Sequence, residues 1–157
     1  MKKCYTYDDV NIVPKYSEVK HRDKINIRTR FTKNIDIAFP IVSSPMDTIT
    51  ELDMAREMME WGGVGIVHRF MSIEKQAKMI HELCYMPGTE HIIVNKASPR
   101  CAAVGVTEDY LERSQELVKN GCNVLLIDVA HGHHKLVGEA IEEIKTRLSS
   151  VEVIAGS

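Results

Sequence analysis

Gly121-Cys122-Asn123-Val124-Leu125-Leu126-Ile127-Asp128-Val129-Ala130-His131-Gly132-His133-His134 is the stretch whose reading decides the fold. Asn123 to Ile127 is a short apolar run that follows a glycine and ends on a carboxylate. So short a run, bounded by turn residues, reads as a buried strand. Residues 134–148 come next, with Leu136, Val137, Ile141, Ile144 and Leu148 recurring as one helical stripe. Val151-Glu152-Val153-Ile154-Ala155 is apolar again. Strand, helix, strand is the unit that pairs its strands in parallel through a right-handed crossover.

The same unit recurs toward the amino terminus. Cys101-Ala102-Ala103-Val104-Gly105 reads as a strand, and Thr107 with Glu108 and Asp109 opens a helix that Gly121 closes. Val64-Gly65-Ile66-Val67 reads as a strand, and Ser72 caps a helix through about Leu83. Pro40-Ile41-Val42-Ser43-Ser44 begins the series. Thr48-Ile49-Thr50-Glu51 has the spacing of a capping box. Leu52, Ala55, Met58 and Met59 then follow at helical spacing until Gly62-Gly63. Met54, Met58 and Met59 read as core packing. Tyr85-Met86-Pro87-Gly88 breaks the second helix, so residues 85–100 form the longest connector.

Residues 1–39 precede these units as an extended leader. Ile25-Asn26-Ile27-Arg28 and Ile35-Asp36-Ile37 alternate apolar and polar, as in a hairpin turning at Thr32-Lys33-Asn34. The expected architecture is therefore α/β: a leader with a hairpin over 1–39, then five strands alternating with four helices over 40–157. A complete (β/α)₈ barrel typically takes ~250 residues. The 157 residues here reach about its fifth strand.

Composition narrows the function. A hydrophobic share of 44% with 27% charged residues is that of an ordinary globular chain. Twenty basic against 22 acidic residues leave a net charge of −2 and no electrostatic case for nucleic acid. No apolar run approaches the ~18 residues of a membrane span, and no signal peptide opens the chain. The four cysteines, at 4, 84, 101 and 122, show neither a C-x-x-C pair nor metal-ligand spacing. They read as small core residues of a reduced, cytoplasmic protein.

Ligands of parallel α/β folds meet the carboxyl ends of the strands. Those ends carry Ser43-Ser44-Pro45-Met46-Asp47, His68-Arg69-Phe70, Gly105, Asp128 to His134, and Gly156-Ser157. Asp128 reads either as a helix cap or as an acceptor for a pair of ribose hydroxyls. His131, His133 and His134 with Asp128 invite a metal reading, but adjacent histidines diverge and the expectation is no metal. Ser43 and Ser44 lack a G-x-S-x-G setting and read as contact or capping groups. Arg22, in the basic leader, is a possible phosphate partner.

Several motifs carry a resemblance over nearly the whole chain, in order. They are Tyr7-Asp8-Asp9-Val10 with Val13-Pro14, Ser43-Ser44-Pro45-Met46-Asp47-Thr48 with Thr50-Glu51, and Gly62-Gly63-Val64-Gly65-Ile66-Val67-His68. Met71 to Ala77, Ala102-Ala103-Val104-Gly105, Asp128-Val129-Ala130-His131-Gly132-His133 and Val153-Ile154-Ala155-Gly156 continue the series. Together they resemble the IMP dehydrogenase/GMP reductase family.

The resemblance implies a partial TIM barrel and purine-nucleotide oxidoreductase chemistry. IMP dehydrogenase converts IMP, NAD⁺ and water to XMP and NADH; GMP reductase converts GMP and NADPH to IMP and ammonia. The partners implied are IMP or GMP and a dinucleotide, NAD or NADP, with a homotetramer expected of the full-length protein. By position, Ser44, Met46 and Ser157 match substrate contacts. His68, Asp128, Val129 and Ala130 match cofactor contacts, Asp128 accepting from the nicotinamide ribose. Val129 replaces a usual Ser or Thr, and Ser157 a usual Asn.

Other features of the family have no counterpart. The nucleophilic cysteine and its K⁺-holding loop follow the sixth strand, so no catalytic residue is expected within this sequence and no turnover by it alone. Residues 85–100 stand where IMP dehydrogenases usually carry paired regulatory CBS-type modules, and are too short to be them. The motif spellings lean toward IMP dehydrogenase, while the short connector, His68-Arg69-Phe70 and Asp128-Val129-Ala130 lean toward GMP reductase. A third expectation is a non-catalytic half barrel that binds nucleotide or co-assembles through unpaired strand edges.

Overall fold

A computed structural model describes residues 2–85 and 98–156. Most of the connector, residues 86–97, and Ser157 lie outside the described residues. The antiparallel hairpin joins β1 (Thr29–Arg30) and β2 (Asp36–Ile37). A five-stranded parallel sheet follows, β3 (Val42–Ser43), β4 (Val64–Val67), β5 (Cys101–Val104), β6 (Val124–Ile127) and β7 (Glu152–Ala155). Between them run α1 (Leu52–Glu60), α2 (Ile73–Cys84), α3 (Tyr110–Lys119) and α4 (Lys135–Arg147).

Spatial order equals chain order, β3-β4-β5-β6-β7, and every neighbouring pair is parallel. All four helices pack on one face. Ala55 and Met59 of α1, Ile80 and Leu83 of α2, Leu117 of α3, and Val137, Ala140 and Ile144 of α4 share a core with Val67, Ala102, Val104, Leu125 and Ile127. A doubly wound sheet would divide its helices between both faces. Sequential strands with one-sided helices are consistent with part of a (β/α)₈ barrel.

The alternate strand residues build a second core. Val64, Ile66, Cys101, Ala103 and Val124 face away from the helices, and Phe31, Ile35 and Ile37 of the hairpin cover them. The Asn34 amide donates to the Glu152 carboxylate at the start of β7. The hairpin thus closes the amino end of the sheet and leaves the carboxyl end open.

Two expectations are corrected. The first hairpin strand is Thr29–Arg30, with Thr29 opposite Ile37 and Arg30 opposite Asp36; Ile25 and Ile27 stay exposed. Burial against the sheet selected the pairing, because only residues flanking the turn reach the inner face. Nor does Thr48 form a capping box. It adopts a left-handed φ of 61°, and Glu51 is the N-cap of α1 without a side-chain cap bond. The Glu51 carboxylate is drawn instead to His68 and Lys75. Two side chains also differ from the expected core. Met54 is exposed, and so is Cys4; Cys101 and Cys122 are buried. Ser72 caps α2 as expected, its hydroxyl accepting from Lys75 N–H at 3.2 Å.

Candidate functional site

The loop after β3 is held by its own backbone and one threonine. Met46 N–H donates to the Ser44 carbonyl at 2.8 Å, and the Met46 carbonyl accepts from Ile49 and Thr50 N–H at 3.1 and 3.2 Å. The buried Thr50 hydroxyl donates to the Ser44 carbonyl at 2.5 Å and lies 3.0 Å from the Ser43 hydroxyl. With its polar backbone satisfied internally, the loop can present Ser44 and Met46 outward. Met46 is 54% exposed.

These residues meet groups from two other strands. A cleft of about 510 Å³ is lined by Ser44, Pro45, Met46 and Asp47, by Phe70 after β4 and by Asp128 after β6. That is within the size range of small-molecule sites. Asp128 continues the ladder, its N–H donating to the Val104 carbonyl at 2.9 Å. Its carboxylate lies 3.6 Å from Arg69 Nε, an ion pair longer than a hydrogen bond. The Arg69 guanidinium also sits 5.1 Å from the Phe70 ring centre. Arg69 Nε is buried without a hydrogen-bond partner.

A neighbouring cleft of about 340 Å³ is lined by Arg69, Gly105, Thr107, Arg113, Val129 and Ala130, among others. The Arg69–Asp128 pair stands between the two clefts. The structure therefore brings Ser44, Met46 and Asp128 into one cleft, and Val129 and Ala130 into the next. A third groove, between α2 and α3 on the helix side, lies away from the strand ends.

His68 behaves differently. It follows β4 directly but is only 1% exposed. Its Nδ1 accepts from Phe70 N–H at 3.1 Å, so in the neutral ring the proton resides on Nε2. Nε2 faces Glu51 Oε1 at 3.3 Å and Asp47 Oδ1 at 3.7 Å. Hydrogen bonds from His68 and Lys75 hold the Glu51 carboxyl below its usual range. Asp47, Glu51 and His68 gather closely enough to suggest a cation site. A ring that donates from Nε2 and accepts at Nδ1 has no free lone pair for a metal, and the Lys75 ammonium already faces Glu51 at 3.3 Å. Among the described residues, His131, His133 and His134 do not gather with Asp128. The His134 ring instead caps α4, accepting from Leu136 N–H at 3.2 Å.

Sequence reasoning gave no role to Gln76 and Arg113. The Gln76 amide donates to the carbonyls of Val67 and Ala103, at 3.3 and 2.9 Å. Arg113 donates to Gln76 Oε1 at 2.9 Å, to the Met71 carbonyl at 3.1 Å and to the Asp109 carboxylate at 2.6 Å. One polar network thus ties the ends of β4 and β5 to the loops of both clefts. The available signal was a polar residue on the buried stripe of each helix, Gln76 in α2 and Arg113 in α3.

None of the described cysteines lines either cleft. Burial pushes the Cys101 thiol up, and pushes that of Cys122 up to about 12. Such thiols are poor nucleophiles. No helix among the described residues is long and apolar enough to cross a membrane.

Residues 4–157 match the IMP dehydrogenase / GMP reductase domain. The chain is 32% identical over 196 aligned residues to the inosine-5'-monophosphate dehydrogenase of Borreliella burgdorferi, covering 99% of the chain and 48% of that protein. The corresponding protein of Cryptosporidium parvum is also 32% identical, covering 99% of the chain and 46% of the relative. A GMP reductase of Leishmania donovani is 46% identical over 78 residues, 50% of the chain and 16% of its own length. The chain spans about half the length of the full-coverage relatives named here.

Proposed function

The chain belongs to the IMP dehydrogenase/GMP reductase family, and on that premise we propose that it is the nucleotide-binding amino-terminal part of an IMP dehydrogenase. Ser44 and Met46 hold the purine nucleotide, the hydroxyl as a polar contact and the thioether as a wall against the base. Asp128 accepts hydrogen bonds from the hydroxyl pair of the nicotinamide ribose, with Val129 and Ala130 alongside the dinucleotide. When bound, the nicotinamide supplies the hydride acceptor. The reaction served is IMP, NAD⁺ and water to XMP, NADH and a proton.

The observation that carries the reading is the cleft in which Ser44, Met46 and Asp128 converge from loops 84 positions apart. Its residues also fit the dinucleotide chemically. An ionised carboxylate offers only acceptors, which suits paired hydroxyls. Arg69 Nε stands 3.6 Å from that carboxylate at the rim. In this reading, Ser157 adds a further substrate contact, and the thiolate that attacks the purine comes from beyond this sequence.

GMP reductase is the second reading. Stretches of 79 and 78 residues are each 46% identical to an IMP dehydrogenase of Nitrosopumilus maritimus and to the Leishmania donovani GMP reductase. Equal identity over equal shares of the chain does not separate the two activities.

The test is titration of the 157-residue chain with IMP, GMP, NAD⁺ and NADPH by calorimetry. IMP and NAD⁺ are expected to bind. Ser44→Ala should weaken IMP about tenfold, the worth of one polar contact. Asp128→Asn should weaken NAD⁺ and leave IMP unchanged. GMP and NADPH binding in preference to IMP and NAD⁺ would establish the second reading. Binding of none of the four would leave the non-catalytic half barrel that co-assembles.

A further inference from the structure

We propose that His68 is a positioning residue, a buried clamp that joins the loop after β3 to the loop after β4 and so sets the shape of the cleft from beneath. The nucleotide reading above supplies only the ligand used in one arm of the test.

The geometry assigns each ring nitrogen to a different loop. Nδ1 accepts from Phe70 N–H at 3.1 Å, and the Phe70 side chain, 57% exposed, forms a wall of the cleft. Nε2–H is left to donate to Glu51 Oε1 at 3.3 Å, at the end of the loop that presents Ser44 and Met46. The His68 backbone joins the same loop, its N–H donating to the Thr50 carbonyl at 3.3 Å. The His68 and Phe70 rings lie 6.0 Å apart and 28° from parallel. The charged groups that face the ring are the Glu51 and Asp47 carboxylates, with the Lys75 ammonium behind Glu51.

A ring that merely filled space would be better replaced by an apolar one, because a buried imidazole is costly unless both nitrogens are satisfied. Here both are, by groups on two different loops. Only the Nε2–H tautomer allows this. With the proton on Nδ1 the ring would confront the Phe70 N–H, and a doubly protonated ring would do the same.

Three measurements on the full 157-residue chain test the clamp. In ring ¹⁵N spectra at neutral pH, His68 should be the Nε2–H tautomer; an Nδ1–H tautomer or a freely averaging ring sinks the proposal. His68→Phe keeps the aromatic volume and removes both bonds. It should speed exchange of the Phe70 amide and weaken IMP binding, each about tenfold for the loss of one hydrogen bond. His68→Asn restores an acceptor near Nδ1 and should recover Phe70 protection. If His68→Phe matches the parent in both readouts, His68 is packing and nothing more. Should His68→Phe not fold, Glu51→Ala releases the other end from an accessible site. It should then loosen Thr50 and Asp47 amides and weaken IMP, and unchanged amides would count against the clamp. If the parent chain binds no nucleotide, the nucleotide reading fails while tautomer and amide exchange still decide the clamp.

Discussion

The Gln76–Arg113 pair is open to a quantitative test. Gln76 is fully buried and Arg113 nearly so, and their hydrogen bond of 2.9 Å orients the Gln76 amide toward the carbonyls of Val67 and Ala103. Arg113→Met keeps much of the volume but orphans Gln76 Oε1 and the Met71 carbonyl. Each buried acceptor left unsatisfied costs about 1–3 kcal/mol. The Asp109 carboxylate is partly exposed and regains water at little cost. The Met71 carbonyl is only part-buried and adds about 1 kcal/mol to the Gln76 penalty, so the expected loss is about 2–4 kcal/mol. Gln76→Leu should cost as much or more, since it removes a donor from two strand carbonyls and a partner from a buried guanidinium. The double variant removes the mutual orphans, so it should be less destabilised than the sum by about 1–2 kcal/mol. Urea unfolding followed by circular dichroism measures all four midpoints, provided the slopes agree. Additivity within about 0.5 kcal/mol, or single losses below that size, would refute the network as a cooperative unit.

Three further outcomes are expected. Gly65→Ala should be severely destabilising, above the usual 1–3 kcal/mol of overpacking, because its Cβ would stand 2.4 Å from Ala55 Cα, where α1 lies on β4; thermal melts check this. The Glu51 carboxyl is held below its ordinary value by His68 and Lys75. Its contribution is therefore present above pH about 4.5 and lost as pH falls through the lowered folded value. Glu51→Gln should flatten the acid limb of the stability profile, and an unchanged limb would place that dependence elsewhere. In thiol alkylation at mildly alkaline pH, Cys4 should label rapidly while Cys101 and Cys122 resist until the chain unfolds; mass spectrometry of native against denatured samples reads the difference.

The division between what could be read from the sequence and what could not follows the range of the forces involved. Each strand and helix of the parallel unit was legible, because apolar periodicity and caps such as Ser72 act within a few residues. The rim residues were legible too, since the ends of strands follow from the strands. The hairpin register was not, because Phe31, Ile35 and Ile37 were chosen by contact with a sheet that begins later in the chain. Nor was Glu51. Its spacing from Thr48 fits a local cap, and a more distant histidine and lysine claimed its carboxylate.

The sequence by itself determined the order of elements, the parallel pairing and the family, all of which rest on local pattern and motif. Only the tertiary structure decided that Ser44, Met46 and Asp128 share a cleft, and that His68 faces both Glu51 and Phe70. It alone also joined Gln76 and Arg113 to the strand ends. The physical reason is that burial and hydrogen-bond satisfaction are settled between residues far apart in the chain, where periodicity carries no information.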